Sequence, residues 1–133
     1  MDQPGGVFVY GTLKRGQVRE RCWPRRPLAV DPATVLGALY DLGPYPALVA
    51  GSDRVGGEVW RFGAEDMEAT LAALDEVEGY NGDGNDWYRR VVIECHTASG
   101  VVQAWTYLYA RMYELQVSRR IGGDSSGVCH WPT

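Results

Sequence analysis

The sequence predicts an α+β domain in which a mixed, largely antiparallel sheet packs against one main helix. Three observations carry this prediction: short apolar runs separated by turns that contain Gly and Pro, one long helical pattern in mid-chain, and two adjacent strand-like runs joined by a tight turn. Strands on both sides of a single helix are typical of α+β folds. The pattern alone leaves open whether the sheet is flat or curled into a barrel.

The 133 residues predict one domain, residues 1–133, with loosely ordered ends at 1–6 and about 118–133. A net charge of −4 argues against a nucleic-acid partner, because phosphate binding needs a basic face. We expect no membrane association and a cytoplasmic location, since no apolar run is long enough to span a bilayer and no secretory signal is recognisable. The oligomeric state stays open.

The first strand is predicted at Val7–Tyr10, where a continuous apolar run indicates burial on both faces. Further runs rich in β-branched and aromatic residues predict strands at Ala33–Leu42, Ala47–Ala50, Val55–Phe62, Trp87–His96 and Val101–Tyr109. The last two flank Ser99-Gly100 and are typical of an antiparallel hairpin. Gly56-Gly57 indicates a bulge or a close neighbour, and Gln17–Pro32 is predicted to be irregular with a short helical turn.

A helix is predicted over Ala64–Glu78. Glu65 and Asp66 in its first turn complement the helix dipole, and Gly79 stands where a C-terminal cap is expected. Successive steps of four, three and four residues place one set of side chains on a single face: Met67, Leu71, Leu74 and Glu78. The apolar members of this face are expected to point into the core.

Glu78 is the candidate for acid–base chemistry. A carboxylate at the end of a buried face is partly desolvated and lies at the unfavourable end of the helix dipole, and both effects raise its pKa toward neutrality. A side chain so near the helix end can equally extend into solvent. Asp75 borders the same face, either as a surface aspartate or as a second carboxylate that shifts its neighbour's pKa; Glu76 points away and has no predicted role.

The turn after the first strand is the candidate for anion binding. A buried strand that ends at Gly11 exposes several backbone N–H groups at one point, and these can hold a carboxylate or a developing oxyanion. The alternative is a tight loop with no ligand. The basic residues that follow are interpreted as a solvated loop: Lys14, Arg15, Arg19, Arg21, Arg25 and Arg26.

Thiol, metal and nucleotide chemistry have no support in the sequence. Cys95 and His96 are adjacent on a predicted strand, so their side chains point to opposite faces and cannot form a nucleophilic pair. The spacing of Cys22, Cys95 and Cys129 matches no zinc pattern, and no Walker or G-x-G-x-x-G motif is present. We expect neither a metal nor a cofactor.

Three stretches resemble motifs of the γ-glutamylcyclotransferase-like family, which includes γ-glutamylamine cyclotransferases and avirulence-induced-gene-like proteins. They are Tyr10–Gly16 (YGTLKRG), Gly37–Leu48 (GALYDLGPYPAL) and Leu74–Tyr80 (LDEVEGY). Two shorter stretches, Tyr88–Arg90 and Ala104–Tyr107, are similar to the family's Y-x-R and A-x-x-Y. The resemblance covers roughly residues 7–109; the tail departs from the pattern expected at the family's end.

The resemblance implies a small mixed β-barrel with a helix packed alongside, and an enzyme that acts on a small γ-glutamyl substrate without a cofactor. In the family's reaction the α-amine of a γ-glutamyl group attacks its own γ-carbonyl, which releases 5-oxoproline and a free amine. Glu78 is then expected as general acid and base. The expected substrate-binding residues are Tyr10, Gly11, Thr12, Leu13, Tyr45, Tyr88 and Tyr107. The leaving amine is not specified.

The alternative is a non-catalytic module on the same fold that binds a small amino-acid derivative or a protein. A catalytically inactive relative should lack Glu78, which is present here. A protein-binding module should instead expose an aromatic patch, for which Trp60, Trp105 and Tyr107 are the candidates.

Overall fold

The computed structural model describes residues 4–82, 86–111, 114–116 and 119–131. Within them the elements are β1 Gly6–Val9, β2 Ala29–Asp41, β3 Pro46–Arg61, α1 Ala64–Glu78, β4 Tyr88–Thr97, β5 Gly100–Tyr109 and β6 Val128–Cys129. A 3₁₀ turn at Glu20–Cys22 lies between β1 and β2, inside the segment predicted to be irregular with a short helical turn. The predicted bounds of the helix, Ala64–Glu78, are confirmed.

The sheet closes into a small mixed barrel. The strand order is β1-β5-β4-β2-β3-β6, and a further pairing of β1 with β3 closes the ring. β1 runs parallel to β5 and β6 runs parallel to β3, whereas all other pairings between these strands are antiparallel. The predicted barrel is confirmed, and the closure depends on the short strand β1, which has a partner on each side.

Three predicted strand boundaries are wrong by more than one residue. The runs at Ala47–Ala50 and Val55–Phe62 belong to one strand, β3, whose pairing with β2 continues past Gly51-Ser52-Asp53 through a register shift between Gly37 and Ala38. β2 begins at Ala29 and so includes Pro32, which was predicted to lie before the strand. The first part of β2 pairs residue by residue with β3. The extended pairing of β2 with β3 has outweighed the local preference of Pro32 and Gly51 for loops.

The tail contributes a strand that the sequence did not predict. β6 pairs Val128 and Cys129 with Arg54 and Val55 of β3. At the other end of the chain, Gly6 pairs with Arg61. The loose order predicted for the remainder of 1–6 and 118–133 stays a prediction; residues 1–3, 118, 132 and 133 lie outside the described residues.

β1 is buried on both faces, as its apolar run predicts. Val7 and Val9 pack in the cluster between barrel and helix, whereas Phe8 packs in the second cluster with residues from the other barrel strands. All four β1 residues are buried. Because β1 sits between two layers of core, the chain that leaves its end is held firmly where the candidate site forms.

α1 packs on the barrel through the predicted face. Met67, Leu71 and Leu74 are buried against β1 and β5 residues of the same cluster. Gly79 ends the helix in the left-handed conformation (φ 68°), and its N–H and that of Tyr80 donate to carbonyls of the last turn. The cap fixes the end of the helix, and with it the position of Glu78.

The Gly56-Gly57 pair accommodates close neighbours, as predicted. A Cβ on Gly56 would lie 2.2 Å from the His130 ring, and one on Gly57 would lie 2.3 Å from the Val9 carbonyl oxygen. In the described part of the chain, no helix is long and apolar enough to cross a membrane.

Candidate active site

The predicted site residues converge on one narrow cavity at one end of the barrel, with a volume of about 30 Å³. β1 and β5 are parallel, so their carboxyl ends lie together, and the start of β4 and the end of α1 reach the same end. The lining includes every residue predicted for substrate binding or catalysis: Tyr10, Gly11, Thr12, Leu13, Tyr45, Glu78, Tyr88 and Tyr107. The lining also includes Phe8, Val9, Arg19 and Pro46.

The loop after β1 turns its carbonyl groups into the protein. The Gly11 carbonyl accepts from the Lys14 N–H at 3.1 Å, and the Thr12 carbonyl accepts from the Arg19 N–H at 2.8 Å. The Leu13 carbonyl accepts from the Trp23 indole at 2.9 Å. The N–H groups of residues 11–13 are not among the hydrogen-bond donors found in the described ranges, so they are available to a ligand.

Gly11 is required for space rather than for an unusual backbone angle. Its φ is not among the positive values found at other glycines. A Cβ there would lie 2.6 Å and 2.7 Å from the Pro46 ring carbons, far closer than real side chains approach. The turn can therefore press against the start of β3, which forms one wall of the cavity.

Glu78 points its carboxyl group into the cavity from the last residue of α1. Burial raises the pKa of Glu78 to about 7, and the nearby positive charge of Arg19 opposes this shift. Across the residues the structure describes, no ion pair or hydrogen bond holds this carboxyl. It is therefore a desolvated group that exchanges protons near neutral pH.

Asp75, one turn earlier on α1, has a different environment. Its Oδ1 accepts a hydrogen bond from the Tyr107 hydroxyl at 2.6 Å, and its Oδ2 meets the Arg90 guanidinium at 2.7 Å. The Arg90 guanidinium in turn lies 4.9 Å from the centre of the Trp105 ring and 5.8 Å from that of Tyr80. Asp75 is thus neither an isolated surface residue nor the cause of the raised pKa of Glu78, which burial explains.

The buried phenols all donate their hydroxyl protons to acceptors of the protein. Tyr88 donates to the Pro46 carbonyl at 2.8 Å, Tyr107 donates to Asp75, and Tyr10 donates to the Tyr107 carbonyl. Burial raises the pKa of all three, so they remain protonated. Tyr45 is partly exposed at the rim, with its ring edge toward Tyr88 at 6.3 Å.

Arg19 lines the cavity although the sequence placed it in a solvated loop. Arg15, Arg21, Arg25 and Arg26 of that loop are exposed, which agrees with the prediction. Lys14 and Arg19 contradict it: Lys14 is buried, with its ammonium 3.4 Å from the Trp131 carbonyl, and Arg19 is partly buried beside Tyr45. No local sequence signal distinguishes Arg19 from the other arginines of this loop. What distinguishes it is a hydrogen bond from its backbone N–H to the Thr12 carbonyl, which forms only in the folded chain.

The sequence matches the family described as "Gamma-glutamyl cyclotransferase, AIG2-like" over residues 7–126. The chain belongs to this family. It is 33% identical over 108 residues to gamma-L-glutamyl-butirosin B gamma-glutamyl cyclotransferase of Niallia circulans, covering 79% of this chain and 67% of that protein. It is 35% identical over 105 residues to the gamma-glutamylcyclotransferase family protein YtfP of Escherichia coli K12, covering 79% and 82%.

Solved structures of the family share the fold. The crystal structure of a mouse aig2-like protein superposes with a TM-score of 0.64 and 21% sequence identity, over 99% of this chain and 98% of that one. The fold agrees with the family membership shown by the sequence, which makes the chain an enzyme of the γ-glutamylcyclotransferase type.

The residues considered for thiol chemistry, Cys95 and His96, do not line this cavity. Cys95 is buried and His96 is exposed, as their alternation on β4 predicts, and burial raises the pKa of the Cys95 thiol to about 12. Among the described residues, no group of three or more His, Cys, Asp or Glu side chains is arranged to hold a metal ion.

The aromatic patch needed by a protein-binding module does not form at the predicted residues. Trp60 and Tyr107 are each 3% exposed, and Trp105 lies partly buried beneath Arg90. These side chains contribute to the core and to the support of the cavity.

Proposed function

We propose that this enzyme cyclises a γ-glutamyl group, releasing 5-oxoproline and a free amine, with Glu78 as general base and then general acid. The observation that carries the proposal is the Glu78 carboxyl: it lines the cavity, has no protein partner in the described ranges, and has a pKa raised to about 7 by burial. Such a group is partly ionised at neutral pH and can both accept and return a proton.

The acceptor side of the cavity suits the α-ammonium group of the substrate. Tyr88 and Tyr107 have committed their hydroxyl protons to protein acceptors, so their oxygens offer lone pairs. Together with Glu78 they form a set of acceptors next to one another. An ammonium bound here is held beside the group that removes its proton.

The donor side suits the negative charge that develops on the γ-carbonyl oxygen. When the amine attacks, a C–N bond forms and the carbonyl π electrons move onto oxygen. The N–H groups of Gly11, Thr12 and Leu13 can donate to that oxyanion or to the substrate carboxylate. Removing one such donor in other enzymes costs about 100- to 1,000-fold in kcat.

Collapse of the tetrahedral intermediate completes the balance of atoms. The carbonyl re-forms and the bond to the leaving nitrogen breaks. Glu78 moves two protons in turn: it passes the proton taken from the α-ammonium to the leaving nitrogen, and it then takes the second proton from the ring nitrogen and passes it to the freed amine. The products are a neutral lactam and an ammonium ion. No water, oxidant or second substrate is consumed. The cavity also folds the glutamyl chain so that its ends meet, which lowers the entropy cost of ring closure. Because it is narrow, Tyr45 and Arg19 at the rim must yield as the substrate enters.

The decisive experiment measures 5-oxoproline release from a panel of γ-glutamyl amines and γ-glutamyl amino acids. We expect release by the wild type and a loss of about 100- to 10,000-fold in Glu78→Gln. Glu76→Gln is the matched control, because Glu76 is two residues away on the same helix and exposed; it should keep full activity. Circular dichroism and thermal melting establish that each variant is folded.

Other outcomes discriminate among the alternatives. Full activity in Glu78→Gln would keep the reaction and move the proton transfer to another group. If the wild type releases no 5-oxoproline from any substrate yet binds 5-oxoproline by calorimetry, the protein is a binding module on this fold. The cytoplasmic location inferred from the sequence stays a prediction.

A further inference from the structure

We infer that Trp23 and Glu58, two side chains outside the cavity, are positioning residues of the proposed reaction. They hold the loop after β1 in the conformation in which its N–H groups donate to the oxyanion on the γ-carbonyl oxygen. This inference rests on the proposed cyclisation and names two residues that support its donor side. Neither Trp23 nor Glu58 lines the cavity, so both act through the loop alone.

The direction of each N–H group in this loop is set by the carbonyl group before it. In a planar trans peptide the C=O and N–H bonds point in opposite directions, so a bond that fixes one carbonyl also aims the N–H of the next residue. The Gly11 carbonyl accepts from the Lys14 N–H at 3.1 Å. The Thr12 carbonyl accepts from the Arg19 N–H at 2.8 Å. These two bonds therefore aim the N–H groups of Thr12 and Leu13.

Trp23 fixes the next peptide group of the loop. Its indole N–H donates to the carbonyl of Leu13, a residue that is 4% exposed, at 2.9 Å. That bond orients the peptide group between Leu13 and Lys14, and with it the Lys14 N–H that holds the Gly11 carbonyl. Without the indole N–H, the Leu13 carbonyl would lose its donor, and the turn that aims the Thr12 N–H would loosen.

Glu58 holds the exit of the same loop from β3. Its Oε1 accepts one hydrogen bond from the Arg15 N–H at 2.9 Å and another from the Trp60 indole N–H at 3.1 Å. β3 pairs with β1, and Glu58 lies opposite Val9, the last residue of β1. One carboxylate oxygen thus ties the exit of the loop to the strand beside its entrance.

Stacked indole rings join the two anchors. The ring centres of Trp23 and Trp60 lie 4.3 Å apart, and the ring planes are within 6° of parallel. The result is a closed ring of contacts that leaves the loop at the Leu13 carbonyl, passes through Trp23, Trp60 and Glu58, and returns to it at Arg15. The loop is therefore fixed before a substrate arrives, which is the condition for its donors to stabilise a developing charge without reorganisation.

The test measures kcat and KM for 5-oxoproline release from a γ-glutamyl substrate that the wild type cyclises. Trp23→Phe keeps an aromatic ring for stacking but removes the indole donor. We expect it to lower kcat by about 10-fold, the equivalent of one hydrogen bond, with KM unchanged, because the oxyanion exists only after attack. Trp87→Phe is the matched control: Trp87 is 49% exposed and does not line the cavity, so this variant should behave as the wild type.

Glu58 provides a second pair of variants. Glu58→Gln keeps an oxygen acceptor for both hydrogen bonds and should retain the wild-type kcat, whereas Glu58→Met has only a weakly accepting sulfur and should lower kcat by about 10-fold. A side chain needed only for stability would lower the melting temperature of Glu58→Met without lowering kcat at constant KM. The kinetic pKa near 7 should not move in either variant, since Glu58 is not among the causes that shift the pKa of Glu78.

The possible failures of this inference and of the proposed reaction are distinguishable. An unchanged kcat in folded Trp23→Phe and Glu58→Met, beside an active wild type, would overturn the inference alone. A change confined to KM would also overturn it, because it would assign the loop to binding of the ground state. If Glu58→Met does not fold, Trp23→Phe decides. No release by the folded wild type would overturn the proposed reaction, and this inference with it.

Discussion

The last turn of α1 presents two carboxyl groups, three residues apart, in opposite electrostatic settings. Asp75 is enclosed by a guanidinium and a phenol, each within hydrogen-bond distance of one of its oxygens. Glu78 has neither partner, and burial raises its pKa to about 7. The comparison teaches that position on a helix face does not determine the chemistry of a carboxyl group: its solvation and its partners do.

The difference also separates two tasks in the site. Asp75 accepts a hydrogen bond from the hydroxyl of Tyr107, a residue that lines the cavity. Asp75 therefore contacts a residue of the cavity lining and is not itself part of that lining. Of these two carboxyl groups, Glu78 is the one that lines the cavity.

The largest expected effect is on stability. At high pH the folded state contains an ionised Glu78 carboxylate in a buried site, where the charged form is unfavourable. Below pH 4.5, its ordinary pKa, the group is protonated whether folded or unfolded. Between pH 4.5 and about 7 the folded state binds more protons, so the free energy of unfolding falls as pH rises, by about 3 kcal/mol from this group. Urea denaturation at pH 5 and pH 8 should show Glu78→Gln gaining stability relative to the wild type by that amount.

Other groups titrate in the same pH range. The quantity to measure is therefore the difference in the free energy of unfolding between the wild type and Glu78→Gln. Glu76→Gln should follow the wild type at both pH values, since Glu76 is exposed. Parallel stability curves for wild type and Glu78→Gln would contradict the buried environment assigned to Glu78.

The second effect is on the rate of the proposed reaction. If ionised Glu78 is the base, kcat/KM should rise through pH 7 and fall about 100-fold from pH 8 to pH 5, since each pH unit below the pKa removes about nine-tenths of the ionised form. Initial rates of 5-oxoproline release over this range provide the measurement. A flat profile would exclude Glu78 as a base with this pKa.

Much of this site was predictable because it depends on local patterns. The helix face from Met67 to Glu78 follows from residue spacing, and the buried strand that ends at Gly11 follows from one apolar run. Closure of the barrel then brings the end of the helix and the end of the first strand together. The motif resemblance supplied that closure and the tyrosines, which periodicity alone did not.

What the sequence could not predict depends on contacts between distant residues. The contacts of Asp75 with Arg90 and Tyr107 join α1, β4 and β5. The spacing of these three residues along the chain does not predict them. Arg19 is distinguished from its neighbours by one backbone hydrogen bond to Thr12. β6 is only two residues long, too short for any alternation pattern to be visible.

The smallest of the expected effects tests the other carboxyl group. Asp75→Asn removes the anion that faces Arg90, and both side chains are partly exposed, at 22% and 25%. The cost should lie between those of surface and buried ion pairs, at about 2 kcal/mol in the free energy of unfolding. Asp66→Asn is the control on the same helix: Asp66 meets Arg25 at 3.4 Å with side chains 36% and 49% exposed, and its loss should cost about 0.5 kcal/mol.

The same variant decides whether the two carboxyl groups are independent. Asp75 is not among the causes of the raised pKa of Glu78, so Asp75→Asn should lower kcat through the displaced Tyr107 by about 10-fold while the kinetic pKa stays near 7. A kinetic pKa that moves with the substitution would show that the carboxyl groups titrate as a coupled pair. An unchanged kcat would show that Tyr107 needs no support from Asp75, which would leave the ion pair with Arg90 as a purely structural contact.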